Sequence, residues 1–218
     1  MKKFILLFIF IVPMILGAVN LQVHYDFGEN REYFTTTIEM FKPDEYGATF
    51  FFFDMDYNYP RGDKSASLAY LEIARYINLP LDKLSATVQY NDGVAQWGPL
   101  GPVWLGGVSY PIDLGFITLN TDILYRHYRN SDAPDAQLTI VWNKKLLNNK
   151  LTFMGFFDLW SQDKMMEDEK EAVLLTEPQL WYGLTDHLSV GGEIELSKNF
   201  LPSDDFEVKP TLALKWVF

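Results

Sequence analysis

Asp54 and Asp56 stand two residues apart in a run that reads Thr49-Phe50-Phe51-Phe52-Phe53-Asp54-Met55-Asp56-Tyr57. In a strand this spacing puts both carboxylates on one face, roughly 6–7 Å apart, with Phe52 next to them and Phe51, Phe53 and Met55 opposite. Two carboxylates so close repel unless a cation, or a base such as Arg126, stands opposite. In a confined space they leave a negative potential that favours cations and neutral hydrogen-bonding solutes over anions. A register slipped by one residue would reverse the assignment and turn both carboxylates to the apolar side, where each is costly.

The same alternation places Glu39, Glu72, Asp122, Arg126 and Asp158 on polar faces, together with His24, Asp26, Glu193, Glu195, Lys209 and Lys215. Phe50, Phe52, Tyr70, Tyr76, Tyr128, Phe156, Trp160 and Trp181 share those faces by parity. Rings among carboxylates and amides suit a flat polar solute: stacking on an aromatic wall is worth about 1–3 kcal/mol per ring, and Asp, Asn and Gln bond hydroxyl groups. The same residues also serve to stiffen and satisfy the inside of a small barrel. The expected binding wall is Glu39, Phe52, Asp54, Asp56, Glu72, Asp122, Arg126, Asp158, Trp160 and Trp181.

Hydrolytic chemistry has weaker material. The three histidines, His24, His127 and His187, have no serine nearby in a recognisable motif, and His187-Leu188-Ser189 is a spacing that any barrel can show. No catalytic residues are expected. With no cysteine in the chain, disulfides, thiolate metal sites and Cys nucleophiles are excluded. The acidic run Glu167-Asp168-Glu169-Lys170-Glu171 lacks the alternating ligands and turn glycine of a calcium loop and reads as a solvated loop, so no metal or cofactor is expected.

The elements that must position these residues are strands. The chain has 218 residues, 48% of them apolar and 16% aromatic, yet its mean hydropathy is only -0.06. Greasy and polar positions are therefore interleaved. Twelve segments alternate with period two: 20–28, 33–42, 47–58, 67–78, 83–91, 102–113, 115–128, 135–145, 150–161, 172–184, 186–198 and 206–218. Their lengths suit tilted membrane strands and their number is even. Aromatics near segment ends (Tyr57, Tyr59, Tyr90, Tyr110, Tyr125, Trp142, Tyr182, Trp216) suit interfacial girdles. The expectation is an all-β chain forming a transmembrane antiparallel barrel of about 12 strands over 19–218, rather than a secreted soluble barrel. Short turns should fall on the side of both termini, and longer loops on the other.

Met1-Lys2-Lys3 followed by an apolar run over 4–16 and Gly17-Ala18 reads as a signal peptide over 1–18, since about 13 apolar residues are too few for the roughly 20 of a spanning helix. No later stretch replaces it: the longest uncharged segment, 93–112, contains Pro99, Pro102 and Pro111. Formal charge is -11, from 18 Lys and Arg against 29 Asp and Glu, which excludes a nucleic-acid partner. The expected partners are outer-membrane lipid, small polar solutes and, through the terminal Phe218, the barrel-assembly machinery. A monomer is expected.

Arg31-Glu32-Tyr33 running into Ile38-Glu39-Met40-Phe41, Phe53-Asp54, Leu71-Glu72-Ile73 with Arg75-Tyr76, the segment Phe153-Met154-Gly155-Phe156-Phe157-Asp158-Leu159-Trp160 and the terminal Phe218 resemble the Tsx-like outer-membrane channels. That resemblance implies a twelve-stranded barrel in the outer membrane and passive transport, with nucleosides as solute, although the loops here are shorter than that family's. Two other classes stay open beside a channel: a lipid-modifying membrane enzyme and a closed structural or binding barrel.

Overall fold

The computed structural model describes residues 19–29, 31–57, 65–129, 131, 133–164, 169–200 and 203–218. The signal segment expected over 1–18, the strand end at Asn58 and Tyr59, and Glu167 and Asp168 of the acidic run lie outside the described residues. The strands are β1 (Val19–Asp26), β2 (Phe34–Asp44), β3 (Gly47–Tyr57), β4 (Ala66–Asn78), β5 (Ser85–Ala95), β6 (Val103–Asp113), β7 (Thr118–Tyr128), β8 (Asp135–Leu146) and β9 (Leu151–Asp163). They continue as β10 (Lys170–Thr176 and Gln179–Gly183), β11 (Leu188–Lys198) and β12 (Phe206–Val217). A two-residue bridge at Gly98–Pro99 pairs back onto β5 within a loop.

Each strand pairs antiparallel with the next, and β12 pairs with β1, so the twelve-stranded sheet closes into the expected barrel. At the seam Gln22 stands opposite Lys215 and Asp26 opposite Thr211. The Phe218 N–H, 3.2 Å from the Val19 carbonyl, extends that pairing to the last residue.

β10 is interrupted where the sequence reads as one continuous strand. Pro178 has no N–H to give the ladder, and regular pairing stops at Glu177-Pro178. The register nevertheless runs straight through: Thr176 and Gln179 face Phe157 and Met154 on β9, and Leu196 and Glu193 on β11. Isolated bonds close the gap, from Glu177 N–H to the Phe156 carbonyl (3.2 Å) and from Ile194 N–H to the Pro178 carbonyl (3.1 Å).

Burial is inverted relative to a protein folded in water. On β12, Phe206, Val208, Leu212 and Leu214 are exposed on the outside, while Lys209, Ala213 and Lys215 are buried inside. β1 does the same, burying Gln22, His24 and Asp26 and exposing Val23. An outer face this apolar is unfavourable in water and suits lipid, which fixes the barrel as a membrane barrel. Among the described residues no helix is long and apolar enough to cross a membrane; the crossing is made by strands.

Five connections (45–46, 79–84, 114–117, 147–150 and 184–187) lie at the end that carries both termini. Those at the other end span 27–33, 58–65, 96–102, 129–134, 164–169 and 199–205. The difference in length is modest, but it has the expected sense.

The inner wall has one dry patch that alternation does not announce: Val103, Leu105 and Leu124 form a buried cluster with Tyr128 packed on it. Next to it Gly107 lets β6 and β7 approach closely, since a Cβ there would come within 2.0 Å of the Ile123 carbonyl oxygen. Gly107→Ala should therefore destabilise the barrel by about 1–3 kcal/mol. Ile123, outward and exposed in the middle of β7, should cost about 2–4 kcal/mol as Lys if it lies at the bilayer midplane. Unfolding midpoints read from the heat-dependent shift in gel mobility check both.

Candidate functional site

The inner wall is built from the alternate residues of every strand, so its side chains meet across neighbouring strands in the order the register dictates. At the long-loop mouth, Arg31 reaches in from the β1–β2 loop. One guanidinium nitrogen lies 2.9 Å from Asp26 and the other 2.9 Å from Glu195. Lys209 adds a second base 3.6 Å from Glu195 and pairs with Glu207. Asp56 accepts from the Thr35 hydroxyl (2.7 Å) and the Tyr33 hydroxyl (3.3 Å) and lies in the field of Arg31.

Deeper in, Asp54 accepts from the Thr37 hydroxyl at 2.5 Å, with Asp56 and Glu39 as its like-charged neighbours. Glu39 takes the Asn20 amide at 3.0 Å. Glu72 accepts from Tyr70 (2.7 Å) and Asn91 (2.8 Å), whose buried carbonyl oxygen has no partner. Asp158 accepts from Thr139 at 2.5 Å, and Asp122 from Tyr76 (2.9 Å) and Gln89 (3.1 Å). Hydroxyls and amides thus hold most of these carboxylates, and the acid excess is left uncompensated.

Two inward bases are held by rings, Arg126 near the long-loop end of β7 and Lys215 near the short-turn end of β12. Arg126 stacks its guanidinium 5.2 Å over Trp160 and reaches Gln137 at 3.5 Å; Glu72, Asp135 and Asp158 act on it from beyond ion-pair distance. Lys215 sits 3.9 Å over Trp181. A desolvated cation over Trp is stabilised by roughly 2 kcal/mol or more. This corrects the expected placement of Arg126, which does not stand against Asp54 and Asp56; the base there is Arg31, supplied by a loop.

It also changes what the tryptophans can do. Trp160 and Trp181 are buried, with Phe200 edge-on to Trp160 at 6.0 Å and His24 edge-on to Trp181 at 5.8 Å. Both have a face covered by the chain's own cation. The accessible rings form a row on β3 and β4, where Phe50, Phe52 and Tyr70 are half-buried with centroids 6.0 and 5.9 Å apart.

His24 is not arranged as the base of a nucleophile relay. Its Nδ1 lies 3.0 Å from the Thr211 hydroxyl and 3.3 Å from Glu193, while Nε2 faces the Gln22 carbonyl at 3.0 Å. A nucleophile relay needs hydroxyl and carboxylate on opposite ring nitrogens. His127 points outward, and His187 stacks on Trp216 at the short-turn end and contacts the Val217 carbonyl.

Four charged groups on the wall escaped the reading of alternation. Arg31 lies in a loop, Glu177 in the break of β10, and Asp135 at the first position of β8. Lys170, expected in a solvated loop, instead sits within reach of Asp135 (2.9 Å), Asp163 (2.5 Å), Ser131 (3.3 Å) and the Ala133 carbonyl (3.2 Å). Its ammonium fills an oxygen cage at the mouth.

A family model described as a domain of unknown function, DUF5020, matches residues 18–218. The chain belongs to the DUF5020 family. A comparison with curated proteins finds no match. Among solved structures, this DUF5020 barrel is similar to the KdgM porin, at 6% identity and a TM-score of 0.53, over 91% of this chain and 99% of that one. It is similar also to LpxR from Salmonella typhimurium, at 9% identity and a TM-score of 0.51, over 92% and 100%. At such identities the likeness is one of fold.

The mouth network of this DUF5020 chain gives a test. Arg31→Ala would leave Asp26 and Glu195, both largely buried, without their shared base, at a cost of about 3–5 kcal/mol. Arg31→Lys should recover only part of it, because one ammonium cannot span both carboxylates as the fork does. Denaturant unfolding of the refolded barrel measures the difference.

Proposed function

We propose that the protein is a monomeric outer-membrane channel for passive diffusion of small polar solutes, exported by its N-terminal segment, with cations and neutral solutes preferred over anions. The observation that carries this reading is the solvent access of the inner wall. Glu39, Asp54, Asp56, Glu72, Asp158 and Glu193 are only partly buried, although they point into a closed barrel. In the reading proposed here, that remaining surface faces a water-filled path. Their field is focused by the surrounding sheet, and Arg126 and Lys215 offset only part of it. The fold likeness to a porin supports the reading.

Nucleosides are the more specific solute that the Tsx-like resemblance suggests. In this lumen a flat ring would lie on Phe50, Phe52 and Tyr70, with Glu39, Asp54 and Glu72 as acceptors for its hydroxyls. The substrate wall proposed here is thus Glu39, Phe52, Asp54, Asp56, Glu72 and Asp158, with Asp122, Arg126, Trp160 and Trp181 supporting it.

Liposome swelling with sugars and nucleosides tests for an open path, and absence of swelling together with absence of conductance in planar bilayers would sink the channel. Under a salt gradient, Asp54→Asn combined with Asp56→Asn should move the reversal potential toward zero, and the wild-type preference should fall as ionic strength rises and the screening length shrinks below about 10 Å. Phe52→Ala should weaken block by nucleosides and leave ion conductance intact.

A further inference from the structure

Outside the lumen, the wall of the barrel carries a cavity of about 320 Å³ lined by Pro102, Trp104, His127 and Arg129. Trp104 and His127 are opposite partners on β6 and β7, each one residue in from its strand end on the long-loop side, and both are exposed. Trp104 rests on Tyr90, with ring centroids 4.7 Å apart, and the Tyr90 hydroxyl is tied to Asp92 at 2.6 Å. The aromatic floor is therefore fixed. Arg129 follows two residues after His127 and is exposed, and among the described residues neither side chain has a hydrogen-bond or ion-pair partner.

That freedom is unusual in so acidic a chain. At the opposite rim the outward Arg75 is clamped by Asp44 through two nitrogens, at 2.5 and 2.9 Å, and also bonds Thr49. Arg129 has no such clamp, so its fork remains available to an external anion.

We propose that this cavity holds the phosphate headgroup of an anionic lipid in the leaflet on the long-loop side. Arg129 and His127 supply donors, and Trp104 and Pro102 form the apolar wall. The surface below it favours a lipid over a free anion. Gly106 is the next outward residue beneath Trp104, and a Cβ there would meet almost nothing, its nearest neighbour being the Thr87 carbonyl at 4.0 Å. A shallow slot therefore runs from the cavity down the sheet between Trp104 and Val108, walled on β7 by Tyr125, the partner of Gly106. An acyl chain hanging from the bound phosphate lies in that slot.

The test uses the full chain refolded in phosphatidylcholine vesicles into which phosphatidic acid with brominated acyl chains is titrated. Quenching of Trp104 is read as the difference between the wild type and Trp104→Phe. Saturable quenching by brominated phosphatidic acid is expected, well beyond that by brominated phosphatidylcholine. Arg129→Gln should weaken the apparent affinity about fivefold, the effect of one cation at the membrane surface. Equal quenching by both lipids, or an unaltered titration curve in Arg129→Gln, would overturn the site. Displacement of the brominated lipid by inorganic phosphate would overturn the lipid as occupant and assign the cavity to a free anion. Because Trp104→Phe serves only as the blank, an Arg129→Gln chain that fails to refold is replaced by Arg129→Lys, for which a smaller loss of affinity is expected and an unchanged curve counts against the site.

Discussion

A strand that crosses lipid has no water on which to leave an N–H or a carbonyl, and a sheet that crosses lipid can have no free edge. Everything else in this molecule follows from that requirement. The seam between β1 and β12 is paired along its length and continued by the Phe218 N–H to Val19. At Pro178, which has no donor to give, the neighbouring strands keep register and bridge the gap with isolated bonds rather than letting the ladder slip. Closure in turn forces every second side chain inward, so the polar half of an alternating sequence becomes the lining of a lumen.

The lining then has to be reconciled with its own charge. Acid predominates among the inward residues, and the sheet satisfies it locally: Thr35, Thr37 and Thr139 each donate to a carboxylate on the adjacent strand, Tyr70 donates along its own strand to Glu72, and Tyr76 reaches from β4 to Asp122 on β7. Hydroxyls stabilise carboxylates without neutralising them. The bases, in contrast, are spent at the mouth on ion pairs or held over Trp160 and Trp181. The consequence is a wall with ordered geometry in which carboxylates outnumber bases; under the proposed channel reading, such a field favours cations over anions.

The architecture was legible in the sequence because alternation with period two carries it redundantly, twelve times over. Strand limits came within a few residues, and the orientation of β3 followed from the cost of turning Asp54 and Asp56 to lipid. What stayed hidden was whatever breaks the period or crosses the lumen. Arg31 and Lys170 act from the mouth, and Pro178, which signals the break beside Glu177, was read through as strand. Parity placed Arg126, Trp160, Lys215 and Trp181 on the inner face, yet it carries no information on which inward residues touch. The pairing of base with ring, and with it the covering of both indoles, emerged only with the register of whole strands.

The central claim is that the inner wall of the barrel is a water-filled, negative surface. Because the natural chain contains no cysteine, a single introduced thiol reports its own surroundings. The most direct measurement is the rate at which membrane-impermeant thiol reagents, one cationic and one anionic, modify Phe52→Cys and its neighbour Phe53→Cys in reconstituted vesicles. Modification at 52, faster with the cationic reagent, together with protection at 53 is the expected result. Protection at 52, or faster modification by the anionic reagent, would contradict it.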